Sequence, residues 1–305
     1  MAKVIKPNKL DLLECSVAES DDVDGVAWDE TTTYSQGQKV RYEHVSYESL
    51  ANSNKANKPS ETWSGTEAKW KKLGATMPWR MLDDFVETKT SGPEGQPLTF
   101  TVPFSRATAF TLLNIEGAAV HVRVMDADEG VFFEQTYSII KDIGDFSLYS
   151  YNFDEMEAVD TLLATDLPMP LSGTLAVEIY PGEGFAASVG HVIVGRDRSL
   201  GGTLYDAEVG ITDYSKKETD DFGVTTFVRR SFAKRASLEL YLHPSQSDFV
   251  AAILQDLRAT PALWLGDNVD NGYTALTVFG WVEDWRSVYS GPNEQQLSVE
   301  VQGLI

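Results

Sequence analysis

In LTFTVP (98–103) and VHVRVM (120–125), apolar and polar residues alternate. A period of two gives each face of an extended strand its own set of side chains, and no helix can use it. FTLLNI (110–115) is mostly apolar, VFFEQTYSII follows a turn at DADEG (126–130), and LAVEIYPGEGFAASVGHVIVG gives two strands about a Pro-Gly turn. Strands and turn signals at this spacing predict a β-sandwich, jelly-roll-like, over residues 79–195. Within it, the acidic segment 142–160 reads as a long loop or excursion.

The pattern changes after residue 195. Strands are expected at 204–211, 224–231 and 236–242. Then Phe249, Val250, Ile253, Leu254 and Leu257 recur at helical spacing, with Ser247 placed to cap and Pro261 placed to stop. ALWLGD, ALTVFGWVEDWRSVY and LSVEVQGL read as strands again. Residues 196–305 are therefore expected to form an α+β domain, one helix on an antiparallel sheet, making assembly contacts. Upstream, residues 1–26 read as a lead-in arm, with Pro7 keeping Lys6 extended and DDVD (21–24) as a solvated loop. Residues 27–78 read as a small β module rich in Trp28, Tyr34, Tyr47, Trp63 and Trp70. Large aromatic rings supply buried area that so short a segment otherwise lacks. The expected fold class is mainly β, and 305 residues are enough for these parts.

Charge limits what the chain can bind. A net charge of −21 repels nucleic-acid phosphates and anionic membranes. The single cysteine, Cys15, rules out an intrachain disulfide and any thiolate metal cluster, and reads as a small half-buried apolar residue. No apolar run is long enough to span a bilayer, and the first residues lack the apolar stretch of a signal peptide, so synthesis in the cytosol is expected.

The motifs that carry chemistry are sparse. His44, His121, His191 and His243 are scattered, none at zinc-ligand spacing. Gly182-Glu183-Gly184 with Ala187 has the form of a dinucleotide turn, but strand material follows it where a helix is needed. Ser231-Phe232-Ala233-Lys234 matches S-x-x-K without its partner motifs. Asp126, Asp128 and Glu129 could gather round calcium, and Asp154, Glu155 and Glu157 could supply a carboxylate pair for glycoside cleavage. A charged hairpin tip and a solvated loop are the simpler readings of those two groups. The expectation is a non-enzymatic protein with no cofactor and no metal site. Arg229, Arg230, Lys234 and Arg235 form the densest cationic cluster, with no carboxylate between Asp221 and Glu239. In so acidic a chain they suit either a solvated strand face or contact with an acidic subunit.

Tyr34, Gly37, Val40, Val45, Tyr47, Pro59 and Trp70 follow a recurring pattern: a Tyr-x-x-Gly strand, a Val-x-Tyr strand, then Pro and Trp. This resembles the small carbohydrate-binding modules of chitinases. The resemblance implies that exposed aromatics stack on sugar rings, with Trp28, Tyr34, Tyr47, Trp63 and Trp70 as candidates for glycan contact or module core. Where those modules carry stacking tryptophans, this chain has Ala51 and Asn52.

A wider resemblance covers residues 3–200. Ile5-Lys6-Pro7, the module, and then Pro78-Trp79-Arg80-Met81-Leu82-Asp83 leading into a β domain are similar to a recurring bacteriophage tail-tip or baseplate protein. That resemblance implies a virion protein made in the host cytoplasm. It would assemble with other tail subunits, as a threefold or sixfold homo-oligomeric ring, with host-surface glycan as a further partner. A glycan-binding adhesion protein using residues 27–78 is the alternative.

Overall fold

The computed structural model describes residues 1–126, 130–139, 159–167, 169–182, 184–219, 221–267, 274–289, 291 and 295–304. The chain is mainly β, and its sheets are antiparallel except where Val26–Ala27 runs parallel to Lys39–Tyr42.

The alternating segments become strands with alternating burial. Leu98–Ser105 buries Leu98, Phe100, Val102 and Phe104. Its neighbours form a five-stranded sheet in the order Gly130–Ser138, Ala119–Asp126, Ser172–Tyr180, Leu98–Ser105, Glu14–Cys15. Pro103 is tolerated because the short strand Glu14–Cys15 pairs only at Phe100 and Thr101, so no ladder bond is asked of it on that edge. One face of this sheet packs on Phe110, Leu112, Val192 and Val194 of a second sheet, making the first core.

The second sheet has nine strands. Their order is Thr161–Ala164, Ala109–Leu113, His191–Thr203, Ala2–Pro7, Ala262–Leu265, Thr277–Tyr289, Gln295–Gly303, Phe232–Leu242, Glu208–Asp213. The end of His191–Thr203 also pairs with Phe232–Leu242, Gly202 against Tyr241 and Thr203 against Leu240. That pairing closes the strands from His191–Thr203 through Phe232–Leu242 into a six-stranded barrel. Gly201 sits at the closure with φ +130°, and a Cβ there would lie 2.5 Å from the Tyr241 carbonyl, so only glycine fits. Inward residues of the barrel strands form the second core with Val250, Ile253 and Leu254 of the helix Ser247–Asp256 and with Leu257 just after it.

Four expectations need correction. Residues 1–26 are not a free arm: Ala2–Pro7 is a barrel strand between His191–Thr203 and Ala262–Leu265, with Ile5 fully buried. A division at 195/196 falls inside His191–Thr203, whose first half pairs with Ala109–Leu113 and whose second half pairs with Ala2–Pro7. DDVD is a short helix, Asp21–Asp24, with Asp24 fully buried. Ser247 is the first helical residue rather than the cap, a position taken by Gln246, and its hydroxyl lies 3.2 Å from Tyr289 Oη.

Candidate functional site

The aromatic module is a four-stranded sheet in the order Val26–Ala27, Lys39–Tyr42, Val45–Ser49, Trp70–Ala75, beside the pair Thr33–Tyr34 and Asn54–Lys55. Its core is Tyr34, Val40, Tyr47 and Trp70. Trp70 meets Tyr34 edge to face at 5.4 Å, and its indole N–H donates to the Asn57 carbonyl at 2.8 Å. Tyr34 Oη accepts from the Asp29 N–H at 2.7 Å. Burial, with the nearby charge of Glu43, raises the Tyr47 hydroxyl above its ordinary pKa.

Three of the five candidate sugar-contact rings are therefore structural. Trp28 is half-buried, edge to face with Tyr42 at 5.4 Å, and its buried Nε1 has no hydrogen-bond partner among the described residues. Trp63 alone of the five is well exposed, at 44%, and the Lys72 ammonium lies 5.6 Å from its ring centroid. A cation over the ring face is a stabilising contact, but it occupies surface that a sugar ring would need. Asn52, at a position where stacking tryptophans are expected, instead accepts the Gln36 N–H at 3.2 Å.

The module is tied to its surroundings by groups that have no motif in the sequence. Buried Asp24 accepts from the Met77 N–H at 2.8 Å and the Ser20 N–H at 3.0 Å, and its carbonyl accepts from Ser46 Oγ at 3.0 Å. His44 stacks on Trp79 at 4.1 Å and contacts Glu19 at 3.0 Å. Burial would raise Glu19, but bonds from His44 and Thr76 and the charge of Arg41 outweigh it and hold the carboxyl low.

Asp83, in the connection that follows, behaves oppositely. Burial pushes its carboxyl up to about 6, and the charge of Asp84 adds to that, against bonds from the Phe85 N–H and the Thr88 hydroxyl. The folded chain thus prefers Asp83 protonated, relative to an unfolded value of about 3.9. Below pH 4 both states carry the proton and nothing is lost. As pH rises from about 4 to about 6, the fold must hold a charge it disfavours, and stability falls. Asp83→Asn is expected to match the parent's melting temperature at pH 4 and exceed it above pH 6. Solvent screening of this half-exposed group keeps the gain to about 1 kcal/mol. A melting difference that does not change between pH 4 and pH 7 would contradict this assignment.

The four cations are all exposed but do not share one face. Register sets Lys234 opposite Ile211 and Arg235 opposite Gly210, so neighbouring side chains leave the strand Phe232–Leu242 on opposite sides. Lys234 borders a cavity of about 150 Å³ with Glu87, Asp160, Phe232, Phe279 and Leu304. Arg235 faces Glu208, Glu283 and Glu300. Arg229 and Arg230 follow the hairpin of Lys216–Thr219 and Thr225–Val228, where the Arg230 N–H donates to Ser215 Oγ at 3.0 Å.

No protein-family model matches this chain, and no curated protein matches it.

The histidines stay apart, and no group of His, Cys, Asp or Glu among the described residues is arranged to hold a metal ion. His121 sits between Glu134 at 3.0 Å and Glu178 at 3.7 Å on the open face of the five-stranded sheet. His191 is buried against Phe279, and burial lowers its pKa to about 4. His243 accepts from the Ser245 N–H at 3.3 Å at the start of a 3-10 turn. Burial raises the half-buried Cys15 thiol. Ser231 Oγ donates to Glu87 Oε2 at 2.7 Å, an ordinary hydrogen bond between a loop and the hairpin base. Of the remaining carboxylate and glycine candidates, Asp128, Glu129, Asp154, Glu155, Glu157 and Glu183 lie outside the described residues. No helix among the described residues is long and apolar enough to cross a membrane.

What the sequence did not reveal is the setting of the cations. Around them, Val209, Ile211, Tyr214, Phe227, Val228 and Phe232 are all exposed. Ile211 is 61% exposed and Phe227 68%. The signal was present as apolar residues on both faces of short strands, but sequence does not say which faces stay uncovered.

Proposed function

We propose that this chain is a non-enzymatic structural subunit of a bacteriophage tail tip or baseplate, acting by assembly with neighbouring subunits. One observation carries the reading: exposed apolar side chains and four exposed cations lie along the last two strands of the nine-stranded sheet and the hairpin that connects them. Apolar surface of this kind, beside charge, is suited to protein docking. The tail context comes from the resemblance of residues 3–200, which also implies a ring of three or six copies and a place in the virion. The finer architecture belongs to the same proposal. The five-stranded sheet and the strands it packs on would be the jelly-roll-like sandwich, between the aromatic module and an α+β region built on the barrel.

Immunogold labelling of intact virions from the source lysate tests it. Label confined to the tail tip is the expected result. Unlabelled particles, with the protein free in the lysate, would overturn it.

Exposed Trp63 favours a second reading, adhesion to a host-surface glycan through residues 27–78. Chitin and glycan-array retention that disappears in Trp63→Ala would support it, and no retention on any polysaccharide would remove it. Burial of Tyr34, Tyr47 and Trp70 in the module core makes assembly the better supported of the two.

A further inference from the structure

We propose that the edge formed by Glu208–Asp213 and the hairpin Lys216–Thr219/Thr225–Val228 docks onto the acidic outer face of the barrel of a second copy of this chain. The inference deepens the assembly reading and rests on it.

The edge strand is the last of nine, and among the described strands it pairs only with Phe232–Leu242. Among the described strands its far side has no ladder partner, and soluble proteins ordinarily protect such an edge. Here that edge carries exposed Val209 and Ile211. The hairpin beyond it has every residue of both strands exposed. An isolated two-stranded hairpin is marginal in water, and a packed partner supplies the missing stabilisation. Pairing sets Lys217 opposite Phe227 and Lys216 opposite Val228, so each face of the hairpin offers an apolar side chain next to a cation.

Charge selects the partner. The cations of the docking element are Lys216, Lys217, Arg229 and Arg230, gathered at the base of the hairpin in a chain of net charge −21. The matching surface is on the same molecule. Outward positions of Phe232–Leu242, Gln295–Gly303 and Thr277–Tyr289 bring together Glu239, Glu300 and Asp284 along a groove of about 450 Å³, with Glu283 beside it. Arg235 and Arg286 are the cations on that face. A nucleic acid would meet the repulsion of the whole chain. A second copy satisfies both the apolar and the charged parts. The two surfaces differ, so the contact is head to tail and generates a ring or a filament.

Sedimentation velocity on the full chain, at low and high salt, tests the proposal. Self-association that weakens with salt is expected, together with a loss of at least tenfold in Arg229→Glu/Arg230→Glu and in Ile211→Ser/Phe227→Ser. Glu239→Lys/Glu300→Lys should show the same loss. Mixing Arg229→Glu/Arg230→Glu with Glu239→Lys/Glu300→Lys should restore association, because each then supplies the surface the other lacks. All of these side chains lie on the surface, and unchanged melting curves would show that folding is intact. A parent chain that stays monomeric at every soluble concentration, or variants that associate like the parent, would overturn the proposal. So would a monomer that floats with phosphatidylserine vesicles through the hairpin. Virion labelling separates the two claims. A tail-tip label with a monomeric chain removes this contact and leaves the tail reading, whereas association without label does the reverse.

Discussion

Removal of Met1–Pro7 is expected to abolish cooperative folding of the barrel, leaving a broad thermal transition or none. Val4 and Ile5 are buried on opposite faces of the first strand, Val4 in the barrel core and Ile5 in the smaller core outside it. Each side chain contributes about 1.5–3 kcal/mol by burial. The strand also pairs with His191–Thr203 over its whole length and with Ala262–Leu265 at three positions, so its loss would orphan two facing strand edges. Lys3 would leave Asp197, which it contacts at 2.9 Å. These losses together rival a typical total stability of about 5–15 kcal/mol. Circular dichroism and hydrogen exchange on the truncated chain would check this. A melting temperature equal to that of the parent would mean that the segment is an accessory arm after all.

The second large effect is expected in the module. Trp70→Ala should destabilise residues 26–75 by about 3–5 kcal/mol, because it empties the largest site in a core of four residues and strands the Asn57 carbonyl. Trp63→Ala should change stability by about 0.5 kcal/mol or less, since its ring is on the surface with Lys72 alongside. Denaturant unfolding followed by tryptophan fluorescence compares the two. Equal effects would show that the division of these aromatics into core and surface is wrong.

That division is also where sequence reasoning reached its limit. The pattern of Tyr34, Val40, Tyr47 and Trp70 was legible as a small domain's skeleton, and all four form its core. Alternation correctly marked Leu98–Ser105 and Ala119–Asp126, and helical spacing marked Ser247–Asp256 with Val250, Ile253 and Leu254 facing inward. The first strand was missed because AKVIKP is short and ends in proline, and its neighbours lie almost 200 residues and more along the chain. The expected division after Gly195 rested on the change of pattern beyond it, from a run of strands to strands around one helix. Arg196, Asp197 and Arg198 instead sit within one continuous strand, where Asp197 meets Lys3 and the Thr108 hydroxyl as the polar part of a barrel wall. The cationic cluster was legible as composition. Its division between two faces, and the apolar edge around it, depend on register and on which surfaces the fold leaves uncovered.

The position of Ala2–Pro7 also has a consequence for biosynthesis. This strand leaves the ribosome well before its partners, one at residues 195–201 and the other at 263–265. At about 5–20 residues per second, translation takes roughly 10–50 s to deliver the second partner. Through that interval the nascent chain carries Val4 and Ile5 unpaired, while the aromatic module, whose strands all lie within residues 26–75, has its full sequence early. A holdase that binds short apolar segments would find its target in this waiting strand, and its release would be timed by the arrival of the last barrel strands.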